Sequence, residues 1–365
     1  MTEILPTFLI NYSESDFTNP HEVVRSATPE NRKGNFSHMG AEFWGFESAR
    51  HKTTALNKKG DGFTYDNEAH EWLNIGLKTR AEVSKITIST KWYIGNAVPE
   101  VSVTLRDGER NQKVLTRVPL QPDSEHVFDI DPTLATECTV VCHYGGGIAR
   151  INLLGQKLQK RANEKNILEN AVVKKISNSY FGTPMDAVMG HREVDYMRGW
   201  ESARKGFGEH ALFRLKKPTI VTELIVDTYM HRLNSPLSCH LFAVDSREPD
   251  ISQKIWDDRP RWGLRFEGGL EVIPENFPEY MGNRQFLQEK ASASSKFQIF
   301  LKPSDSWLTL LAFGALSPDT FHKFNIEKCT SAVTRLLFMY YPNGGIHGLK
   351  IHGDEIQLTK VLSDE

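Results

Sequence analysis

Cysteine is scarce in this chain, and so are long apolar runs and any excess of charge of one sign. It has 4 cysteines in 365 residues, which argues against a disulfide framework and favours a cytoplasmic location. No apolar run reaches the roughly 18 residues of a membrane-spanning helix, so we expect no membrane association. The 44 basic and 46 acidic residues leave a net charge of -2. Without an overall positive field, we also expect no nucleic-acid partner.

The motifs of several enzyme classes are missing as well. The sequence has no Gly-x-Ser-x-Gly nucleophile elbow, no Walker-type phosphate loop and no dinucleotide-binding glycine loop. It also lacks His-Glu-x-x-His and paired Cys-x-x-Cys spacings. These absences disfavour a conventional serine hydrolase, kinase or dehydrogenase, and we expect neither a metal ion nor another cofactor.

An internal repeat is the main feature that the sequence does contain. WGFESAR at residues 44–50 is echoed by RGWESAR at residues 198–204. Four more landmarks recur in the same order: Ser15 and Ser179 ahead of a Phe and a Pro, Glu71 and Glu209, Asn96 and Asn234, and Gly-Gly pairs at 146–147 and 344–345. This order predicts two homologous halves, residues 5–155 and 171–355, joined by a polar linker at 156–170.

The local pattern favours strands over helices. Residues 83–90 and 100–105 alternate apolar with polar side chains, the period of a half-buried strand. Long amphipathic helices are few, and short apolar runs end at Gly, Pro or Asn. We therefore predict an all-β protein with two tandem jelly-roll β-sandwich domains.

Two repeated acidic positions are candidates for chemistry. Glu47 and Arg50, like Glu201 and Arg204, are three residues apart and could form a structural ion pair. Alternatively, the carboxylate could activate water while the guanidinium binds an anionic substrate. Both interpretations are open at this point.

A second set of repeated polar residues follows. Glu71 and Glu209 begin a predicted strand and are either solvated strand ends or further acids of a site. Asn96 and Asn234 lie shortly before a proline and are either turn residues or hydrogen-bond donors to a substrate.

The closing glycine pairs predict tight turns with at least one residue of each pair at positive φ. Their amides could alternatively bind negative charge. Arg150 follows the turn in the first half, whereas Gly348 takes its place in the second.

Together these residues resemble the allantoicases, which hydrolyse allantoate to ureidoglycolate and urea. Members of that family carry two repeats, each with a Gly-Trp-Glu-Thr-x-Arg segment, an acidic-Trp strand start, an Asp-Thr...Phe-x-Gly-Asn-x-x-Pro strand and loop, and a Pro-Asp-Gly-Gly hairpin ending in Arg. The resemblance covers nearly the whole chain. It implies two galactose-binding-like jelly rolls and a role in purine degradation.

Carried over residue by residue, the match is partial. The resemblance implies catalytic roles for Glu47, Glu71, Glu201 and Glu209. It implies substrate-binding roles for Arg50, Asn96, Arg150, Arg204, Asp227 and Asn234. The chain departs from the family's polar pattern at Ser89, Gly145, Asn343 and Gly348.

Two functions therefore compete: an allantoate hydrolase, and a catalytically inactive binding or scaffold protein with the same fold. The second half has a long insertion near 240–330, and its Trp- and Arg-rich run at 255–265 could support a homo-oligomer or a protein partner. For a hydrolase, we expect substrate capture in the first half, because Arg150 adds a cation there. Asp227 adds an acid to the second half, and such an acid can raise a neighbour's pKa.

Overall fold

Strands far outnumber helices among the described residues of both halves, so the all-β prediction is confirmed. The computed structural model describes residues 2–15, 19–32, 34–37, 40–41, 45–48, 54–56, 59–65, 70–158, 165–192, 199–203, 208–246, 248–273 and 297–356. The chain divides into two units, Met1–Arg161 and Ala162–Glu365. Within the described ranges, no helix is long and apolar enough to cross a membrane.

The strands of the first unit, β1 to β13, are Glu3–Ile4, Thr7–Tyr12, Phe36–Ser37, Gly40–Ala41, Phe46–Glu47, Thr54–Leu56, Phe63–Tyr65, His70–Ser89, Glu100–Asp107, Arg110–Pro119, Glu125–His143, Gly147–Ile148 and Arg150–Lys157. In the second unit, β14 to β26 are Val172–Ile176, Phe181–Gly182, Trp200–Glu201, Glu209–Asp227, Ser238–Val244, Arg261–Phe266, Glu271–Val272, Phe297–Lys302, Leu308–Ala315, Phe321–Asn325, Val333–Tyr341, Gly345–Ile346 and Gly348–Glu355. The described helical segments are 3-10 turns at Pro20–Val24 and Ile167–Asn170 and the short helices α1, Pro184–Val188, and α2, Gln253–Asp257.

Long strands organise the first unit as a sandwich. The start of β8 pairs with β2 and the end of β11, whereas its final residues pair with β13 and the start of β11. Register shifts in β11 lie between these two regions, and such bulges let a strand bend and serve both layers. Apolar residues that alternate along the strands fill the core, among them Leu73, Ile75, Ile86, Ile88 and Val103.

The second unit repeats this plan. The start of β17 pairs with β14 and β24, and its end pairs with β23 and β26. Its core includes Phe213, Val221, Leu224, Leu241 and Phe338. The predicted pair of jelly-roll sandwiches is thus confirmed, one in each unit.

The insertion of the second half covers the outer face of its own sheet. A small sheet of β20, β19 and β21 contributes Trp262, which is buried against outward-facing side chains of β17, β18 and β24. The strands β18 and β24 are therefore buried on both faces. In the predicted interaction run, Arg259 stacks on Trp256 with its guanidinium carbon 4.3 Å from the ring centroid. A protein partner for this region remains a prediction, and residues 274–296 of the insertion lie outside the described chain.

Candidate active site

Glu47 and Glu201 occupy corresponding places in the two units. Each lies on a two-residue strand, β5 or β16, that pairs with the hairpin strand β12 or β25. Asn96 donates its Nδ2 to Glu47 Oε1 at 2.6 Å, and Asn234 donates its Nδ2 to Glu201 Oε1 at 3.0 Å. A carboxylate held by a carboxamide is therefore present beside the closing hairpin of both repeats.

The hairpin glycines have two different structural roles. Gly146 has φ 120° and Gly344 has φ 127°, which confirms the predicted positive φ in each pair. The second glycine of each pair leaves room for a ring. A Cβ on Gly147 would lie 2.2 Å from the Tyr93 ring, and one on Gly345 would lie 2.2 Å from the His231 ring.

The amides of these hairpins donate hydrogen bonds within their own unit. Gly146 N donates to Ser48 Oγ at 2.9 Å, and Gly147 N donates to the Asn96 carbonyl at 2.8 Å. In the second unit, Gly344 N donates to Ser202 Oγ at 3.1 Å. Of the two open interpretations, the structure therefore favours a turn over an anion-binding loop.

Glu71 and Glu209 are buried, so the interpretation as solvated strand ends is wrong for both. Ser13 Oγ donates to Glu71 Oε2, and Ser177 Oγ donates to Glu209 Oε2 at 2.5 Å. Burial raises the pKa of Glu209 to about 7, and hydrogen bonding by Ser177 and Ser202 opposes that rise only in part.

Tyr340 lies beside both acids of the second unit. It is the cross-strand partner of Glu209, and its ring contacts that of Trp200 with centroids 4.9 Å apart. Burial raises its pKa well above the ordinary value, and the charges of Glu209 and Glu201 add to this. Our sequence comparison missed Tyr340 because Cys142 takes the corresponding place opposite Glu71.

Asp227 is part of a buried ion pair. Arg192 donates Nε to its Oδ2 at 2.8 Å and Nη2 to its Oδ1 at 2.7 Å. Although burial raises the pKa of Asp227, the charge and hydrogen bonds of Arg192 hold it below the ordinary value. Arg192 was also missed, since it lies outside every repeated landmark. Asp227 Oδ1 also accepts from Tyr229 N at 3.1 Å, so its predicted contact with substrate would compete with these bonds.

Arg150 is likewise buried and bonded within its unit. It donates Nε to the Ala27 carbonyl at 2.9 Å and Nη1 to its own neighbour, the Ala149 carbonyl, at 2.7 Å. Its Nη2 lies 3.7 Å from Glu22 Oε2. Arg150 stands opposite Ser89 in the strand register, just as Gly348 stands opposite Asp227. Each unit thus has one buried charge at this pair of positions, of opposite sign in the two units.

The model of the allantoicase repeat matches residues 3–158 and 165–356. The chain belongs to the allantoicase family. It is 23% identical to the probable allantoicase of Schizosaccharomyces pombe, over 94% of this chain and 89% of that protein. It is 20% identical to the allantoicase of Saccharomyces cerevisiae, over 94% and 90% of the two chains. The crystal structure of the Saccharomyces cerevisiae allantoicase matches with 18% identity, coverage of 95% and 90%, and a TM-score of 0.34.

Arg50 and Arg204 of this allantoicase family member lie outside the described residues, and their roles remain predictions. In the part of the chain that is described, no three His, Cys, Asp or Glu side chains converge as metal ligands.

Proposed function

We propose that this protein hydrolyses allantoate to ureidoglycolate and urea. The observation that carries the proposal is Glu209, a buried carboxyl with a pKa of about 7 in an allantoicase repeat. General acid-base catalysis is most effective when the catalytic pKa lies near the working pH. Further support comes from relatives named allantoicase that match over 94% of the chain.

In the proposed reaction, Glu209 takes a proton from the attacking water. The oxygen of that water bonds to the carbon that carries the two ureido groups, and the bond from this carbon to one ureido nitrogen breaks. Glu209 then returns the proton to that nitrogen, so that urea leaves as a neutral molecule. Glu201 Oε1 is held by Asn234, and in this proposal its Oε2 accepts an N–H of a ureido group.

We infer that this proton transfer takes place in the second unit, although the sequence favoured the first unit for substrate capture. The near-neutral carboxyl lies in the second unit, where the Tyr340 phenol is close enough to Glu209 and Glu201 for both charges to raise its pKa. In the first unit, Arg150 donates to the carbonyls of Ala27 and Ala149, which reduces its capacity to bind a substrate carboxylate. Arg204 is the proposed cation for that carboxylate in the second unit.

The test is urea release from allantoate by the purified full-length chain and two variants. Glu209→Gln is expected to lower kcat by roughly 10²–10⁴-fold, because the amide cannot accept and return a proton. Glu47→Gln is expected to retain most of the activity. The reverse ranking would move the reaction to the first unit. If the wild-type protein released no urea across the pH range, with and without added divalent metal, the binding or scaffold function would be favoured instead.

A further inference from the structure

His231 lies in the loop between β17 and β18, next to the Glu201–Asn234 pair. Its amide donates to the Thr228 carbonyl at 2.9 Å, and the preceding residue, Met230, has φ 63° and donates its amide to Asp319 Oδ1 at 2.7 Å. This turn is tied to a buried acid, and it directs the imidazole ring against Gly345.

The first unit has the same turn with a different ring. Tyr93 donates its amide to the Thr90 carbonyl at 3.0 Å, and Trp92 has φ 71° and donates its amide to Asp123 Oδ1 at 2.8 Å. The Tyr93 ring packs on Gly147 as the His231 ring packs on Gly345. The two positions therefore correspond, and the second repeat has an imidazole where the first has a phenol.

The imidazole makes a hydrogen bond to the amide of its own repeat. His231 Nδ1 lies 3.1 Å from Asn234 Oδ1, and Asn234 Nδ2 donates to Glu201 Oε1 at 3.0 Å. In the first unit, Asn96 likewise donates to Glu47, at 2.6 Å, but the ring at the equivalent position is a phenol, which has no nitrogen to donate as Nδ1 does. A chain of three residues thus runs from ring to amide to carboxylate in the second unit.

The chemistry of the amide decides the tautomer of the ring. Only the amide nitrogen can donate to a carboxylate, so Asn234 Oδ1 faces His231. A carbonyl oxygen only accepts, so Nδ1 carries the proton and donates it. Burial lowers the pKa of His231, and the nearby His347 lowers it further. The hydrogen bond to Asn234 and the charges of Glu201 and Asp227 oppose this lowering only in part. The ring is therefore neutral at pH 7, with its lone pair on Nε2.

We propose that His231 is a positioning residue that fixes the Asn234 amide, so that Nδ2 holds the Glu201 carboxylate in place for the substrate of the second repeat. This inference rests on the proposed hydrolysis of allantoate. Without a donor at position 231, only the bond from Nδ2 to Glu201 restrains the amide, and the amide and the carboxylate that it holds become less well fixed. A fixed carboxylate needs no reorganisation when the ureido group arrives.

Two substitutions at position 231 separate its donor from its ring. His231→Phe keeps an aromatic ring against Gly345 but removes the donor, and we expect kcat to fall by roughly 10–100-fold, the cost of a misplaced group. His231→Asn places an amide N–H near the position of Nδ1, and we expect it to recover about tenfold over His231→Phe. Tyr93→Phe is the matched control in the first unit, and we expect activity close to wild type.

A measurement that does not need activity tests the hydrogen-bond chain itself. In ¹⁵N spectra of the histidine rings at neutral pH, His231 should be protonated at Nδ1, and Asn234→Ala should abolish this preference. A ring protonated at Nε2 in the wild-type protein would overturn the inference, as would wild-type kcat in His231→Phe. Absence of urea release from the wild-type protein would instead refute the proposed function. The tautomer of His231 would then still show whether the hydrogen-bond chain to Asn234 and Glu201 exists.

Discussion

Trp262 packs directly against Gly208, the residue that precedes Glu209. A Cβ on Gly208 would lie 1.7 Å from Trp262 Nε1, and Gly208 has φ 104°. The ring of Trp262 also contacts that of Tyr341, with centroids 4.2 Å apart, next to the closing hairpin. The insertion of the second half thus supports the backbone on which Glu209 and the hairpin are mounted.

The contact between Gly208 and Trp262 can be tested by adding one methyl group. Gly208→Ala should destabilise the protein by roughly 3–5 kcal/mol, because it adds a clash to the backbone strain. Gly268→Ala is the matched control, since Gly268 has φ 97° and no neighbour within 4 Å, and it should cost only about 1 kcal/mol. Denaturant unfolding measures both values. Equal losses in the two variants would show that the Trp262 contact contributes nothing.

The raised pKa of Glu209 makes the free energy of unfolding depend on pH. Its folded-state pKa of about 7 exceeds the ordinary 4.5, so the folded state binds the proton more tightly than the unfolded state. Stability is therefore lost as pH rises from about 4.5 to 7, by roughly 2–3 kcal/mol. Glu209→Gln, which mimics the protonated acid, should match wild type at pH 4.5 and exceed it by that amount at pH 8. Urea unfolding at both pH values measures this, and a difference that does not change with pH would contradict it.

Ser177 lowers the pH at which the buried Glu209 ionises. Its hydroxyl donates to the charged carboxylate, so Ser177→Ala should raise the pKa of Glu209 further. If ionised Glu209 is the base, the acidic limb of the kcat/KM profile should move up by about one pH unit. Ser13→Ala removes the corresponding bond to Glu71 in the first unit and serves as the control. Movement of the limb in Ser13→Ala alone would identify the first unit as the working site.

The ion pair of Arg192 and Asp227 should behave as a buried, coupled pair. Arg192→Met leaves the Asp227 carboxylate buried without its cation and should cost roughly 3–5 kcal/mol of stability. Arg192→Met combined with Asp227→Asn removes both charges and should recover part of that loss. A double-mutant cycle from denaturant unfolding gives the coupling. Additive losses would show that the two side chains do not depend on each other.

Much of the architecture could be predicted from the sequence because its signals are local or duplicated. Period-2 alternation predicts strands without knowledge of their partners, and the repeated landmarks predict two similar units. The same repetition predicts that Glu47 corresponds to Glu201 and that Asn96 corresponds to Asn234. Family membership follows from the same ordered landmarks.

Only the tertiary structure decided which of these residues are chemically distinct. The pKa of Glu209 depends on burial, which is the sum of contacts from strands far apart in the chain. Arg192 and Tyr340 carry no motif, and they become part of the site because pairing across 35 and 131 positions brings them to Asp227 and Glu209. The role of His231 depends on one ring nitrogen, Nδ1. Its hydrogen-bond partner is the oxygen of the Asn234 amide, whose nitrogen donates to Glu201. A sequence records which groups are present, whereas desolvation and hydrogen-bond direction, which set their reactivity, exist only once the chain is folded.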